Sequence, residues 1–190
     1  MYGIRKLIIG LLVLTCAAYL SIKVMKGYAA RRNAEIRIQT IPDVSFPSLY
    51  GDPVNLRSFD HSRPMIVKYF HPECDYCRSG AGYMASYAAE FAGIQVVMVT
   101  PDDSFQRVEQ FVNEYHLHEI DNIQFLLDQH KTFRETFGRA ILPSVYIYGT
   151  DQKLAGHFLG ETHPENILNL LMRKSAEIPS ESEINNPSNP

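Results

Sequence analysis

The sequence predicts an α/β domain in which a central mixed β-sheet carries helices on its faces, and three observations support this. Short β-prone apolar runs at residues 65–70, 94–100 and 123–127 alternate with segments of helical spacing. The alternation then ends in two closely spaced runs, 144–148 and 153–159, joined by Gly149-Thr150-Asp151, which read as a β-hairpin. Two cysteines, Cys74 and Cys77, stand where the first of these runs gives way to a helix. At 190 residues with 45% hydrophobic content, the chain suits one such domain plus appendages, with a core large enough to need no staples.

Taken in order, Arg5 and Lys6 precede an apolar segment, residues 7–22, that extends to Met25 if Lys23 snorkels its ammonium to the interface. Residues 1–32 are therefore expected to be an uncleaved membrane anchor. A signal peptide has the same profile, although Cys16-Ala17-Ala18 is a weak cleavage site. Val13-Leu14-Thr15-Cys16 resembles a lipidation motif, but Thr15 stands where a smaller residue is usual, and Cys16 is read as a membrane-buried bystander. Residues 33–40 read as a polar tether and 41–176 as the domain. Its opening, punctuated by Pro47, Gly51, Asp52 and Pro53, suits an extra N-terminal hairpin.

Pro64 ends the next loop, and the run 65–70 suits a buried strand that His71-Pro72-Glu73 does not continue, because Pro72 lacks a donor and restricts His71. A helical composition follows from Cys74 through Phe91, with Gly93 as its stop. Pro101-Asp102-Asp103-Ser104 is a helix start, and Phe105, Val108, Phe111, Val112 and Tyr115 follow at core-facing spacing. Residues 129–137 read as a short helix with Gly138 as its cap. His163-Pro164-Glu165 opens a last amphipathic helix with Ile167, Leu168, Leu170 and Leu171 on its apolar face. Residues 177–190, rich in Ser, Glu, Asn and Pro, are expected to be a disordered tail.

Charge narrows the partners. Residues 1–32 carry six basic and no acidic side chains, so most of the 18 basic residues and all 21 acidic ones lie beyond them and leave that part acidic, which disfavours nucleic acid. The positive-inside rule applied to Lys23, Lys26, Arg31 and Arg32 argues against exporting the C-terminal part. Persistence of disulfides in exported compartments argues for it, and a membrane-anchored domain in a periplasmic-type compartment is the expectation adopted.

Three cysteines are too few for a disulfide-stapled scaffold. A helix N-terminus at Cys74 favours a thiolate there, and Cys77, one turn on, can close a disulfide with it. By itself the C-x-x-C spacing also allows a structural pair or half a zinc site.

The strand, the C-x-x-C at a helix start, the α/β alternation and Ile141-Leu142-Pro143-Ser144 leading into a hairpin and a final helix together resemble the thioredoxin superfamily. The anchor, the Ile41-Pro42-Asp43 opening and the N-terminal hairpin resemble its membrane-tethered TlpA/redoxin branch of thiol-disulfide oxidoreductases, over roughly residues 40–175. The resemblance implies a thioredoxin-like fold, a redox-active Cys74–Cys77 disulfide and no other cofactor. It also implies a cis bond before Pro143, a partner segment held at Leu142 with Tyr76 lining the same surface, and as partners protein thiols or disulfides and an upstream membrane electron donor. The chain departs from the family by having no Trp and by placing Glu73 and Asp75 around the nucleophile. It also has Lys68 where thioredoxin has a buried acid. His71 offers a proton path, although a loop histidine without a catalytic role is the plainer reading.

Two alternatives remain. A peroxiredoxin-like thiol peroxidase shares the fold, but its P-x-x-x-T/S-x-x-C pattern fails, since Val67 and His71 occupy the Pro and Thr/Ser positions. A Cys/His metal carrier would add His71 or His61 to the cysteines. Haem attachment through C-x-x-C-H is excluded by Arg78.

Overall fold

A computed structural model describes residues 2–177, and the expected tail lies, apart from Glu177, outside them. Helix α1 (Tyr2–Arg37) is followed by a two-stranded antiparallel sheet, β1 (Ser45–Phe46) with β2 (Val54–Asn55). This is the N-terminal hairpin expected from the Pro and Gly punctuation. The central sheet contains β3 (Met65–Tyr69), β4 (Gln95–Thr100), β5 (Ile123–Leu127), β6 (Ser144–Tyr148) and β7 (Leu154–Leu159) in the order β5-β4-β3-β6-β7. β3, β4 and β5 run parallel, while β6 is antiparallel to both β3 and β7, so the sheet is mixed as predicted. β3 is buried along its whole length, which is why it reads as a continuous apolar run and not as an alternating one.

Side-chain parity divides the core into two layers. Ile66 and Phe70 of the β3 region, Val96 and Met98 of β4, and Val145 and Ile147 of β6 share one layer with helices α2 (Asp75–Ser86), α4 (Phe105–Glu114) and α6 (Pro164–Glu177). Met65, Val67 and Tyr69, with Tyr146 and Tyr148, form the other layer under β1, β2 and α5 (Thr132–Phe137). Lys68 falls on the first face, between Met98 and Val145 of the neighbouring strands.

Three stretches differ from the sequence reading. The helix after Cys74 breaks at Tyr87 (φ −109°, ψ 23°), and α3 (Ala88–Phe91) is a separate turn. α5 starts at Thr132 instead of 129, because Lys131 is in the left-handed region (φ 57°) and the Asp128 carboxylate accepts from Phe133 N–H at 3.2 Å. Residues 33–37 do not form a tether: they continue α1, Ala34 and Ile38 are buried against the domain, and Arg37 donates to Glu135 O at 3.2 Å. Gly138 makes this docking possible. Its φ of 76° suits glycine, and a Cβ there would lie 2.7 Å from that of Ala34. Within α1, Gly10–Arg37 is long and apolar enough to cross a bilayer, with Leu11, Leu14 and Leu20 exposed.

Candidate active site

The site begins where β3 runs out. Phe70 N–H makes a last bond to Val99 O at 3.0 Å, and Pro72 then forces a turn that closes with Cys74 N–H donating to His71 O at 3.0 Å. Cys74 is the N-cap of α2, with extended backbone (φ −86°, ψ 118°), and its carbonyl accepts from Cys77 N–H at 2.9 Å and Arg78 N–H at 3.0 Å. Its thiol therefore sits at the positive end of the helix, among N–H groups without intrahelical partners. Cys74 is half-buried and Cys77 fully buried, and both are free thiols. The partly exposed Cys74 has access to another molecule, and Cys77 is closed off from solvent.

Burial, followed by a hydrogen bond with Cys74, pushes the Cys77 thiol up to about 12, against an opposing pull from Lys68. Lys68 is only 6% exposed, and burial pushes its ammonium down to about 8, against the opposing influence of Cys77. Gly80 makes room for this side chain: a Cβ there would lie 2.6 Å from Lys68 Nζ.

The two carboxylates flanking Cys74 are not left to repel a thiolate equally. Glu73 is turned to Arg107, whose Nη1 donates to Oε1 at 3.3 Å. The same guanidinium grips Asp102 at 2.5 and 3.0 Å. Burial alone would raise Asp102, but Arg107 and the Ser104 N–H hold its carboxyl below the usual range. His71 Nδ1 accepts from Glu73 N–H at 3.2 Å, so Nε2 carries the proton and points at Asp102, 3.7 Å away. His71 is thus part of the brace under the cysteine loop. Sequence reading missed Arg107 and Asp102, because thirty-odd residues separate them from the loop and nothing local marks the contact.

The Leu142–Pro143 bond is cis. Pro143 O accepts from Gly160 N–H at 2.8 Å, whereas Leu142 makes no backbone hydrogen bond among the described residues and retains a donor and an acceptor for an extended segment. Tyr76, 60% exposed, and Pro143 line a narrow cleft that leads inward past Tyr83, Glu161 and Gly80 to Lys68. Its interior, about 20 Å³, is about the size of one water. His61 lies elsewhere, with Nε2 2.9 Å from Arg57 O, and among the described residues no group of His, Cys, Asp and Glu converges as a metal site would require.

This architecture is a thioredoxin-like fold with a cysteine pair at the first strand-helix junction of the central sheet. Residues 38–157 match the AhpC/TSA family. The chain belongs to that family, redox enzymes related to the thiol-disulfide oxidoreductases. Comparison with curated protein sequences gives no match. Among solved structures, the chain is similar to a secreted disulfide oxidoreductase of Mycobacterium tuberculosis described as homologous to DsbE of Escherichia coli (16% identity, 69% of this chain and 96% of that one, TM-score 0.60). It is also similar to a secreted thiol-disulfide isomerase of Corynebacterium glutamicum (20% identity, 72% and 86%, TM-score 0.61). A thioredoxin-family thiol:disulfide interchange protein of Chlorobium tepidum is a third (17% identity, 72% and 96%, TM-score 0.60). At these identities the likeness speaks for the fold.

Proposed function

We propose that this protein is a membrane-tethered thiol-disulfide oxidoreductase that exchanges disulfides with protein partners through Cys74 and Cys77. The observation that carries the reading is the asymmetry of the pair: Cys74 half-exposed at the N-cap of α2, Cys77 buried one turn further along the same helix. The Cys74 thiolate attacks a partner disulfide, one partner sulfur leaves as a thiol, and a mixed disulfide forms. Cys77 then attacks Sγ of Cys74, the second partner sulfur leaves, and the pair is oxidised as the partner is reduced. Run backward, the cycle oxidises a dithiol. Leu142 and Tyr76 are assigned to holding the partner segment beside Cys74, and Pro143 to shaping that surface.

The N-terminal helix serves as an uncleaved anchor in this reading, with the domain on the exported side of the membrane and a membrane electron donor upstream. Support comes from the length and apolarity of Gly10–Arg37 and from the persistence of disulfides outside the cytosol. Reporter fusions at the C-terminus, active only in the exported compartment, test the orientation. The chemistry is tested by insulin-disulfide reduction with dithiothreitol. Catalysis is expected from the full chain and is expected to vanish in Cys74→Ser, while Cys77→Ser is expected to accumulate partners covalently on Cys74. Unchanged turnover in Cys74→Ser would overturn the reading. Peroxide consumption far above that of a free thiol would transfer the assignment to a thiol peroxidase.

A further inference from the structure

Where the end of α1 lies against the domain, two contiguous clefts open between that helix, the residues after α5 and β7. The outer one, about 380 Å³, is lined by Tyr28, Arg31, Arg32, Glu35 and Arg139. The inner one, about 90 Å³, shares Arg31, Glu35 and Arg139 and reaches Tyr146 and His157. Three guanidinium groups thus border one space with a single carboxylate, Glu35, in its walls. Among the described residues none of the three is in an ion pair. Tyr146 is 1% exposed, and among the described residues its hydroxyl has no hydrogen-bond partner. The Arg139 charge acts on that hydroxyl against the effect of its burial. A buried hydroxyl is costly without a partner, and here the inner cleft is the place from which one can come.

We propose, resting on the membrane-tethered reading above, that this cleft binds the phosphate of an anionic glycerophospholipid headgroup. The apolar run ends at Met25, and at about 1.5 Å per residue Tyr28 to Arg32 lie roughly 5–10 Å further along α1. That is about the depth of the headgroup layer outside the hydrocarbon of a bilayer. Tyr28, 75% exposed, is a residue type that the interface favours. The packing of Ala34 on Gly138 brings Arg139 to the same level, so the domain adds a guanidinium to the two on the helix. The planar fork of an arginine matches two phosphate oxygens, and the Tyr146 hydroxyl is a further donor at the inner end. Three cations against one carboxylate leave an excess of positive charge. It favours a headgroup of net negative charge over a zwitterionic one, whose own cation it repels.

The test uses the full chain in detergent, mixed with phosphatidylglycerol or with phosphatidylcholine of the same acyl chains, and native mass spectrometry counts the lipid retained. One phosphatidylglycerol per chain is expected, held about fivefold or more tightly than phosphatidylcholine. Arg139→Gln and Arg31→Gln should each weaken its retention by about fivefold, with thermal melting unchanged as the check that the variants are folded. Lys23→Gln removes the same charge outside the cleft and should leave retention as in the parent. Equal retention of the two lipids, parental retention in both arginine variants, or the same loss in Lys23→Gln overturns the site. Binding of inorganic phosphate that depends on Arg139, with no lipid retained, overturns the lipid as its ligand. A chain that does not float with phosphatidylcholine vesicles after detergent removal overturns instead the anchor on which the proposal rests.

Discussion

Asp102 and Asp128 are both buried carboxylates, and their surroundings drive them in opposite directions. Asp102 is held below the usual range by Arg107 and the Ser104 N–H, which outweigh its burial, so its folded value lies below its unfolded one. Its contribution to stability is complete above the ordinary carboxylate value and is lost as pH falls through the depressed one. Asp128 is raised, chiefly by burial, although Tyr69 Oη donates to it at 3.2 Å. Its contribution is complete at low pH and is lost as pH rises through the elevated value. Chemical denaturation is therefore expected to show Asp102→Asn destabilising more at pH 7 than at about pH 3, with a loss on the order of 1–3 kcal/mol at the higher pH. Asp128→Asn should compare more favourably with the parent at pH 7 than at the lower pH. Two further buried groups, Ser144 Oγ and Tyr148 Oη, have no hydrogen-bond partner among the described residues. Removing an unpaired hydroxyl relieves its desolvation cost, so Tyr148→Phe should stabilise by up to about 1–2 kcal/mol, read from the same denaturation curves.

At the scale of elements, α1 and α5 meet through a contact that only a residue without a side chain permits. Gly138 caps α5 with φ 76° and lets Ala34 Cβ come within 2.7 Å of where a Cβ on residue 138 would sit. Gly138→Ala meets both the left-handed penalty and the clash, and should cost about 1–3 kcal/mol by denaturation. Gly138→Asn, which tolerates the conformation but not the crowding, is expected to recover little. α2 is defined at its start more sharply than at its end. Cys74 takes the N-cap because Pro72 has already turned the chain, while the break at Tyr87 lets Phe91 reach the core from a separate turn.

Over the whole molecule, the end of α1 and the residues that follow it are packed into the domain. Ile38 and Ile41 are 4% exposed, and burying each contributes about 1.5–3 kcal/mol. A chain beginning at residue 43 should therefore melt roughly 10 °C below one beginning at residue 28, since each kcal/mol shifts the midpoint of a domain this size by about 2–4 °C. In the proposed tethered arrangement, α1 would hold the cysteine pair at a set height above the bilayer. In the proposed oxidoreductase, that would limit which donors and partners can reach Cys74.

The α/β order, the mixed sheet, both hairpins and the cysteine junction were legible in the sequence because local signals mark them: apolar runs of strand length, Pro and Gly at the turns, and the Ser104 cap before α4. The cysteine pair stands out by its own spacing at a strand-helix junction, whereas Pro143, Leu142 and Tyr76 are candidates only through the resemblance to the thioredoxin superfamily. The polar character of residues 33–40 misled because Ala34 packs on Gly138, about a hundred residues away. The brace of Arg107 on Glu73 and Asp102 was invisible for the same reason. Lys68 could be noticed in the sequence as a charge inside an apolar run. Where its ammonium lies was decided only by tertiary structure, since strand parity and the bare backbone at Gly80 place Nζ beside α2. Local pattern specifies which element a residue joins, whereas the charge that faces it across a packed interface comes from parts of the chain that only folding brings together.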